Sequence, residues 1–291
     1  MNILVTGSRG QLGNELQKIV APQSQHRWFF TDVDQLDITE ADQVERFFQA
    51  NAIQVCLNCA AYTAVDKAED EPEIAFRINA HAVGILADAC LKSDALLVHV
   101  STDYVFDGQY FKPYEETDLL NAVSVYGKSK AAGEALIAGH TCNSLLVRTS
   151  WLYSSFGNNF VKTMIRLGNE RPNLKVVSDQ IGSPTWAADL AEALLQLVEH
   201  FKGQKTKEII HFSNEGVISW YDFAKTIMEL CQLQCHISAI PSSEYPAKTP
   251  RPHYSVLSKE KFKKLLQQEV PYWKDSLQKC IYELDGKSQA K

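Results

Sequence analysis

The sequence predicts an α/β protein with a doubly wound parallel sheet and a smaller α+β region towards its C-terminal end. Three observations carry this reading. Strand-like runs and helical periodicity alternate through the first half of the chain, the pattern of a parallel sheet with crossover helices. The run Ala95-Leu96-Leu97-Val98-His99-Val100 is apolar almost throughout, as a strand covered on both faces is. A glycine-rich loop joins the first strand to the first helix.

Residues 1–5 form the first strand. Gly7-Ser8-Arg9-Gly10-Gln11-Leu12-Gly13 follows, then helical periodicity through Leu16, Ile19 and Val20. Strand, glycine loop and helix in this order cradle a pyrophosphate, because glycines let the backbone approach and a helix start offers free N–H groups. The next strand ends in Asp32, about twenty residues past the glycines, where a ribose-binding carboxylate belongs. Asp32 favours a free 2′-hydroxyl and hence NAD(H). Arg9 favours a 2′-phosphate and hence NADP(H), so these two signals leave the cofactor form open.

Residues 39–50 read as a helix with a capping pattern at Thr39 and Asp42. Strand 53–59 runs into Ala60-Ala61-Tyr62-Thr63, whose small residues leave room for a flat ligand as readily as for strand–helix packing. The helical region 72–92 carries Asn79 as a buried polar candidate. The strand ending at Ser101 delivers Thr102, Asp103 and Tyr104, and Tyr126-Gly127-Lys128-Ser129-Lys130 opens a helix. Tyr126 and Lys130 are four apart and project from one helix face. A phenol, an ammonium and a strand-end hydroxyl can therefore converge on one reacting atom.

A strand at 144–149 closes the regular alternation. Beyond Trp151 it loosens, with a strand at 174–177, a helix at 187–200 and a strand at 208–212. The expected division is a dinucleotide-binding domain over 1–150, rejoined by 184–213, and a mainly substrate-binding domain over 151–291. Pro241, Pro246, Pro250 and Pro252 mark a lid-like stretch within the latter.

Composition narrows the function. The chain has 291 residues, 45% hydrophobic and 22% charged, as a globular protein does. A net charge of -6 and a pI of 5.8 argue against a nucleic-acid surface, which needs clustered lysine and arginine. The longest basic run, 259–264, reads as a solvated helix face. No targeting segment is evident and no apolar run approaches a membrane span, so a cytoplasmic protein without membrane contact is expected. Seven cysteines, an odd number, argue against a disulfide framework. Cys56 and Cys59 have metal or redox spacing but lie in an apolar stretch and read as buried thiols. Cys231, Cys235 and His236 lack a fourth ligand, so no metal site is assigned.

Several segments go further. They are Gly7-x-x-Gly10-Gln11-Leu12-Gly13, Ala60-Ala61-Tyr62-Thr63-Ala64-Val65-Asp66-Lys67-Ala68-Glu69 and Ser101-Thr102-Asp103-Tyr104-Val105-Phe106-Asp107-Gly108. With them go Tyr126-Gly127-Lys128-Ser129-Lys130, Arg148-Thr149-Ser150-Trp151, Asp179-Gln180-x-Gly182-Ser183-Pro184-Thr185 and Arg251-Pro252. Together they resemble the extended short-chain dehydrogenase/reductase superfamily and, within it, the dTDP-4-dehydrorhamnose reductase family, nearly end to end.

The resemblance implies a Rossmann-type fold. It also implies NADPH-dependent reduction of the 4-keto group of dTDP-4-dehydro-L-rhamnose, the last step of dTDP-L-rhamnose synthesis for cell-surface polysaccharide, with NADH as the alternative donor. By resemblance, Gly7, Gly10, Gln11, Leu12 and Gly13 hold the pyrophosphate, and Asp32, Asp37 and Ile38 the adenosine side. Ala61, Tyr62 and Thr63 line the nicotinamide half, with Tyr62 standing where the family often has histidine. Tyr126, Lys130 and Thr102 are the implied catalytic trio, with Tyr126 and Lys130 also touching cofactor. Thr102, Asp103 and Trp151 match substrate-contacting positions, and Arg251 is assigned to the substrate diphosphate. Lys130 is expected to lower the Tyr126 phenol's proton affinity, and Thr102 to donate to the sugar oxygen. Glu15 matches a position that binds magnesium between subunits in some members, which makes magnesium an accessory and a homodimer a possible state. Two readings compete: another nucleotide-sugar reductase or epimerase, and a non-catalytic regulator like the methionine adenosyltransferase regulatory subunit.

Overall fold

The computed structural model describes residues 1–20 and 25–286; the end of the region assigned to 151–291 lies outside the described residues. Its first half alternates as follows: β1 (Asn2–Thr6), α1 (Gln11–Ile19), β2 (Arg27–Phe30), α2 (Ala41–Asn51), β3 (Val55–Asn58), α3 (Val65–Ala68) and α4 (Pro72–Phe76). A wide π-turn over Arg77–His81 continues into α5 (Ala82–Lys92), and β4 (Leu96–Thr102), α6 (Val125–Gly139) and β5 (Ser144–Thr149) complete it. The second half holds β6 (Leu152–Tyr153), α7 (Phe160–Glu170), β7 (Asn173–Val177), β8 (Ile181–Gly182), β9 (Thr185–Trp186), α8 (Ala187–His200) and β10 (Lys207–His211). It ends with β11 (Ile218–Ser219), α9 (Trp220–Leu230), β12 (His236–Ile240), α10 (Glu260–Leu266) and α11 (Trp273–Leu284).

Six strands form one parallel sheet in the order β10-β5-β4-β3-β1-β2. Alternate side chains of each strand enter opposite cores, as the pleat requires. Ile3, Val5, Val55, Leu57, Val98, Leu145 and Val147 pack beneath α1 and α8 with Leu12, Leu16, Leu190 and Leu194. Leu4, Cys56, Leu97 and Leu146 face α2, α5 and α6 through Phe48, Leu86, Cys90 and Ile137. A third core, with Tyr153, Phe223, Leu277 and Trp273, holds the second-half elements together around the parallel pair β7 and β12.

Three local expectations are corrected. The helix expected from residue 39 starts at Ala41 with Glu40 as its uncapped first neighbour. Thr39 instead donates its hydroxyl to Asp37 Oδ1 at 2.8 Å, so the Asp37 turn takes the group that was assigned to the cap. The basic run at 259–264 is not a solvated face: Lys259 and Phe262 are buried, and both Lys259 and Lys263 pair with Glu215. The stretch Pro72–Lys92 is long and apolar enough, by length and composition, to cross a membrane, although no apolar run of that length was expected. Its inner residues Ala82, Val83, Leu86 and Ala87 are buried in the sheet core, which accounts for the apolar composition.

Candidate active site

The glycine loop turns back over the sheet's carboxyl end. Gly7 has φ +63°, and a Cβ there would lie 2.7 Å from the Ala60 backbone; one at Gly13 would lie 2.5 Å from the Gly7 carbonyl. Both positions require glycine for want of space, and Gly7 also for its left-handed backbone. The start of α1 at Gly10 has no side-chain cap and no acid in its first turn. First-turn amides without partners inside the helix, over a cradle without side chains, fit a pyrophosphate. Asp32 at the end of β2 accepts from the Arg9 amide at 3.0 Å and the Val33 amide at 2.9 Å, so its carboxylate also shapes the loop. The Arg9 guanidinium is held by Asp34 at 2.6 Å. Asp37 closes its own turn, and Ile38 is buried in the core beside it.

At the end of β3, Ala61 is half-buried and Thr63 exposed. The π-turn aims Asn79 back at this segment, where its side chain accepts from the Tyr62 amide at 2.9 Å and donates to the Tyr62 carbonyl at 3.0 Å. A third contact reaches Ser129 at 3.0 Å. The buried polar candidate therefore clamps the loop backbone to α6. The Tyr62 hydroxyl donates to Glu71 at 2.6 Å, and this bond pushes its proton affinity up to a pKa of about 12.

Tyr126, Lys130, Thr102 and Asp103 are 9%, 1%, 7% and 2% exposed and lie where β4 meets the first turn of α6. Ser124 caps that helix by accepting from the Gly127 amide at 3.0 Å. Burial pushes the Tyr126 phenol well above its ordinary range, and the Thr102 hydroxyl only partly offsets this. The expected lowering by Lys130 is not present. The Lys130 ammonium is directed away, to the Val100 carbonyl at 2.7 Å and His99 Nε2 at 3.3 Å. Burial lowers Lys130 itself to about 8. The Thr102 hydroxyl donates to Asp103 Oδ1 at 2.8 Å, so its proton is engaged by the neighbouring carboxylate rather than held free for a ligand. Asp103 Oδ2 is buried with no hydrogen-bond partner, and burial raises this carboxyl to about 6.

Next to these groups, Tyr104 packs edge-on against Tyr126 with ring centroids 5.5 Å apart. Tyr104 also lines a cavity of 760 Å³ with Met164, Val177, Gln180, Trp220 and Arg251. Arg251 reaches the Tyr104 hydroxyl at 3.3 Å and is anchored by Asp66 at 2.7 Å. Trp151 adopts φ +46°, unusual for a bulky side chain, and its ring stacks on Trp220 at 3.7 Å and 10°. Sequence reasoning passed over Trp220, His99 and Asn58, and gave Tyr104 no role. Tyr104 had a signal, its place directly after Thr102-Asp103; Trp220 had none, because only the fold brings it to Trp151. A larger cavity of 990 Å³ opens beside α11, away from these groups, bordered by Lys18 and Glu283.

Magnesium does not fit Glu15 within one chain. That side chain is fully buried, accepts from the Ser154 hydroxyl at 2.6 Å, and has Lys18 at 3.9 Å, which itself reaches Glu283 at 2.5 Å. Glu15 Oε2 accepts no hydrogen bond, and Lys18 is the cation paired with it. Among the described residues no three His, Cys, Asp or Glu side chains gather as a metal site.

The sequence pattern of the RmlD substrate binding domain matches residues 1–285. The dTDP-4-dehydrorhamnose reductase of Aggregatibacter actinomycetemcomitans is 40% identical over 94% of this chain and 96% of its own length. A dTDP-4-dehydrorhamnose reductase crystal structure from Clostridium acetobutylicum superposes with a TM-score of 0.93 at 41% identity, over 98% of this chain and 100% of that one. The dTDP-4-dehydrorhamnose reductase of Bacillus anthracis, solved in complex with NADP, gives 0.92 at 38% identity, over 97% and 99%. With its glycine cradle, its buried tyrosine and its end-to-end match, the chain belongs to the dTDP-4-dehydrorhamnose reductase family of oxidoreductases.

Proposed function

We propose that this protein reduces the 4-keto group of dTDP-4-dehydro-L-rhamnose to give dTDP-L-rhamnose, with NADPH as the preferred donor and NADH as a second one. The observation that carries the reading is the buried Thr102–Asp103–Tyr126 group, joined through Tyr104 to a cavity of 760 Å³. The product, a sugar on a nucleoside diphosphate, is an activated donor suited to building cell-surface polysaccharide. NADPH is favoured by Arg9 in the loop, and by the NADP found in the Bacillus anthracis relative.

A reduced nicotinamide supplies the hydride. The chain's own residues manage the proton and the position of the sugar. Because burial holds Tyr126 protonated, the phenol keeps its proton until negative charge develops on the sugar oxygen, a stronger base than phenolate. Proton delivery by a placed side chain is typically worth about 10²–10⁴-fold. Asp103 Oδ2 makes no hydrogen bond within the protein and is suited to accept one from a sugar hydroxyl, and Thr102 fixes that carboxylate's orientation. Lys130, at about 8, remains mostly charged at neutral pH and keeps a positive charge one helical turn from Tyr126. Trp220, stacked on Trp151, presents an aromatic wall to the cavity, suited to a sugar ring. Arg251 adds a cation at the cavity wall for the diphosphate.

Consumption of reduced nicotinamide with dTDP-4-dehydro-L-rhamnose, run in parallel with NADPH and NADH, tests this. The expected result is turnover with both and a higher kcat/KM with NADPH. Turnover only with another keto-sugar nucleotide would replace the substrate. Tight cofactor binding without turnover on any sugar would point to the regulatory reading.

A further inference from the structure

On the face of the sheet covered by α6, strand register aligns Thr6 of β1 with Asn58 of β3, and Asn58 with His99 of β4. These three polar side chains are all buried, at 1%, 1% and 0% exposure, next to the apolar core that Leu4, Cys56 and Leu97 form on the same face. They form one hydrogen-bonded chain. The Thr6 hydroxyl donates to Asn58 Oδ1 at 2.7 Å, and Asn58 Nδ2 meets His99 Nδ1 at 2.9 Å. His99 Nε2 then meets Lys130 Nζ at 3.3 Å.

The orientation of the Asn58 amide gives the chain its direction. With Thr6 donating to the Asn58 oxygen, the Asn58 amide nitrogen is a donor and His99 Nδ1 must accept. Burial and the nearby lysine keep His99 neutral, so its single proton resides on Nε2, facing Lys130. An N–H pointed at an ammonium is a donor against a donor. Against a neutral amine it is a hydrogen bond, while the amine continues to donate to the Val100 carbonyl at 2.7 Å.

We propose that Thr6, Asn58 and His99 form a positioning chain that presents an N–H rather than a lone pair to Lys130 and so weakens this lysine's hold on its proton. The inference rests on the reductase reading only for its purpose, since a lysine that exchanges its proton near neutrality can restore the proton that Tyr126 delivers. The other groups around Lys130 do not supply the effect. Cys59 at the end of β3 is a neutral thiol whose proton affinity burial raises. Glu134, one turn along α6, acts in the opposite direction and is bound to Arg148 at 2.7 Å. Tyr126, one turn before, is neutral. Lys130 nonetheless lies near 8 rather than 10.5, with burial as the cause of the lowering.

Nitrogen-15 NMR of the histidine rings in the whole protein, with His99→Phe identifying the His99 signals, tests the chain without reference to turnover. The expected result is a neutral ring protonated at Nε2; a proton on Nδ1, or an imidazolium, overturns the proposal. Carbon-13 titration of the Lys130 side chain gives the second reading. Its midpoint should rise by about one pH unit, a tenfold gain in proton affinity, in His99→Phe. It should rise as well in Asn58→Asp, where the carboxylate accepts from Nδ1 and turns the Nε2 lone pair towards the lysine. Midpoints unchanged in both folded variants overturn the proposal. A native ring protonated at Nε2 and shifted midpoints in a protein inactive on every sugar would instead sustain the chain and remove the reductase reading.

Discussion

Two polar rows cross the same face of the sheet under the same helix, and they are built to opposite ends. One is Thr6, Asn58 and His99 with Lys130 above it. The other is Ser101, Arg148 and His211, in register across β4, β5 and β10, with Glu134 above it. In the second row the Arg148 guanidinium meets Glu134 at 2.7 Å and 3.1 Å, and Ser101 donates to the same carboxylate at 2.5 Å. His211 donates from Nδ1 to the Tyr114 carbonyl at 3.1 Å, which leaves its Nε2 lone pair for Arg148 at 3.2 Å. His99 has the opposite tautomer and turns its N–H on Lys130. Burial alone does not separate the rows, since both are inside. What separates them is that the charges of one are fully matched, while the cation of the other has only a carbonyl and an imidazole. Saturated networks hold a fold; under-matched ones leave a group able to change protonation.

The largest expected effect comes from breaking the matched row. Arg148→Met leaves Glu134 buried without its partner and should cost about 3–5 kcal/mol of stability in urea unfolding. A loss below about 1 kcal/mol would show that the pair is not a structural anchor. Asp103→Asn tests a third buried charge, outside both rows and incompletely hydrogen-bonded, through pH. Its folded carboxyl titrates near 6 against an ordinary 3.8, so the folded state holds more protons than the unfolded one between these values. Stability should therefore fall as pH rises from about 4 to about 6, by up to about 3 kcal/mol, and that portion should vanish in the variant. Identical pH profiles for the two proteins would contradict the burial of an unpartnered carboxylate. Arg251→Ala should raise the nucleotide-sugar KM by about tenfold or more with little change in kcat, the mark of lost ground-state binding. An unchanged KM would leave Arg251 as the partner of Asp66 and Tyr104 alone. Thr39→Ala, at a hydroxyl that caps no helix, should change stability by less than about 0.5 kcal/mol. A loss near 1 kcal/mol would restore the cap.

These rows also mark how far the sequence could be read. Strands, the glycine loop and the Tyr126–Lys130 spacing depend on neighbours along the chain, and the fold returned them with shifts of a residue or two. The rows depend on register between strands, which local pattern does not carry: His99 reads as one polar residue in an apolar run until Asn58 and Thr6 lie beside it. Spacing placed Tyr126 and Lys130 on one face of α6 but could not say where the ammonium would point. Lys259 misled for the same reason, because its partner Glu215 arrives from a distant segment. Thr39 misled because a competing turn at Asp37 took its hydroxyl.

The central claim is that Tyr126 is the proton donor of a keto-sugar reduction. Turnover of Tyr126→Phe with dTDP-4-dehydro-L-rhamnose, measured beside its cofactor dissociation constant, tests it most directly. The account predicts kcat lower by about 10²–10⁴-fold with cofactor affinity close to native. A folded variant that turns over at a near-native rate would contradict it.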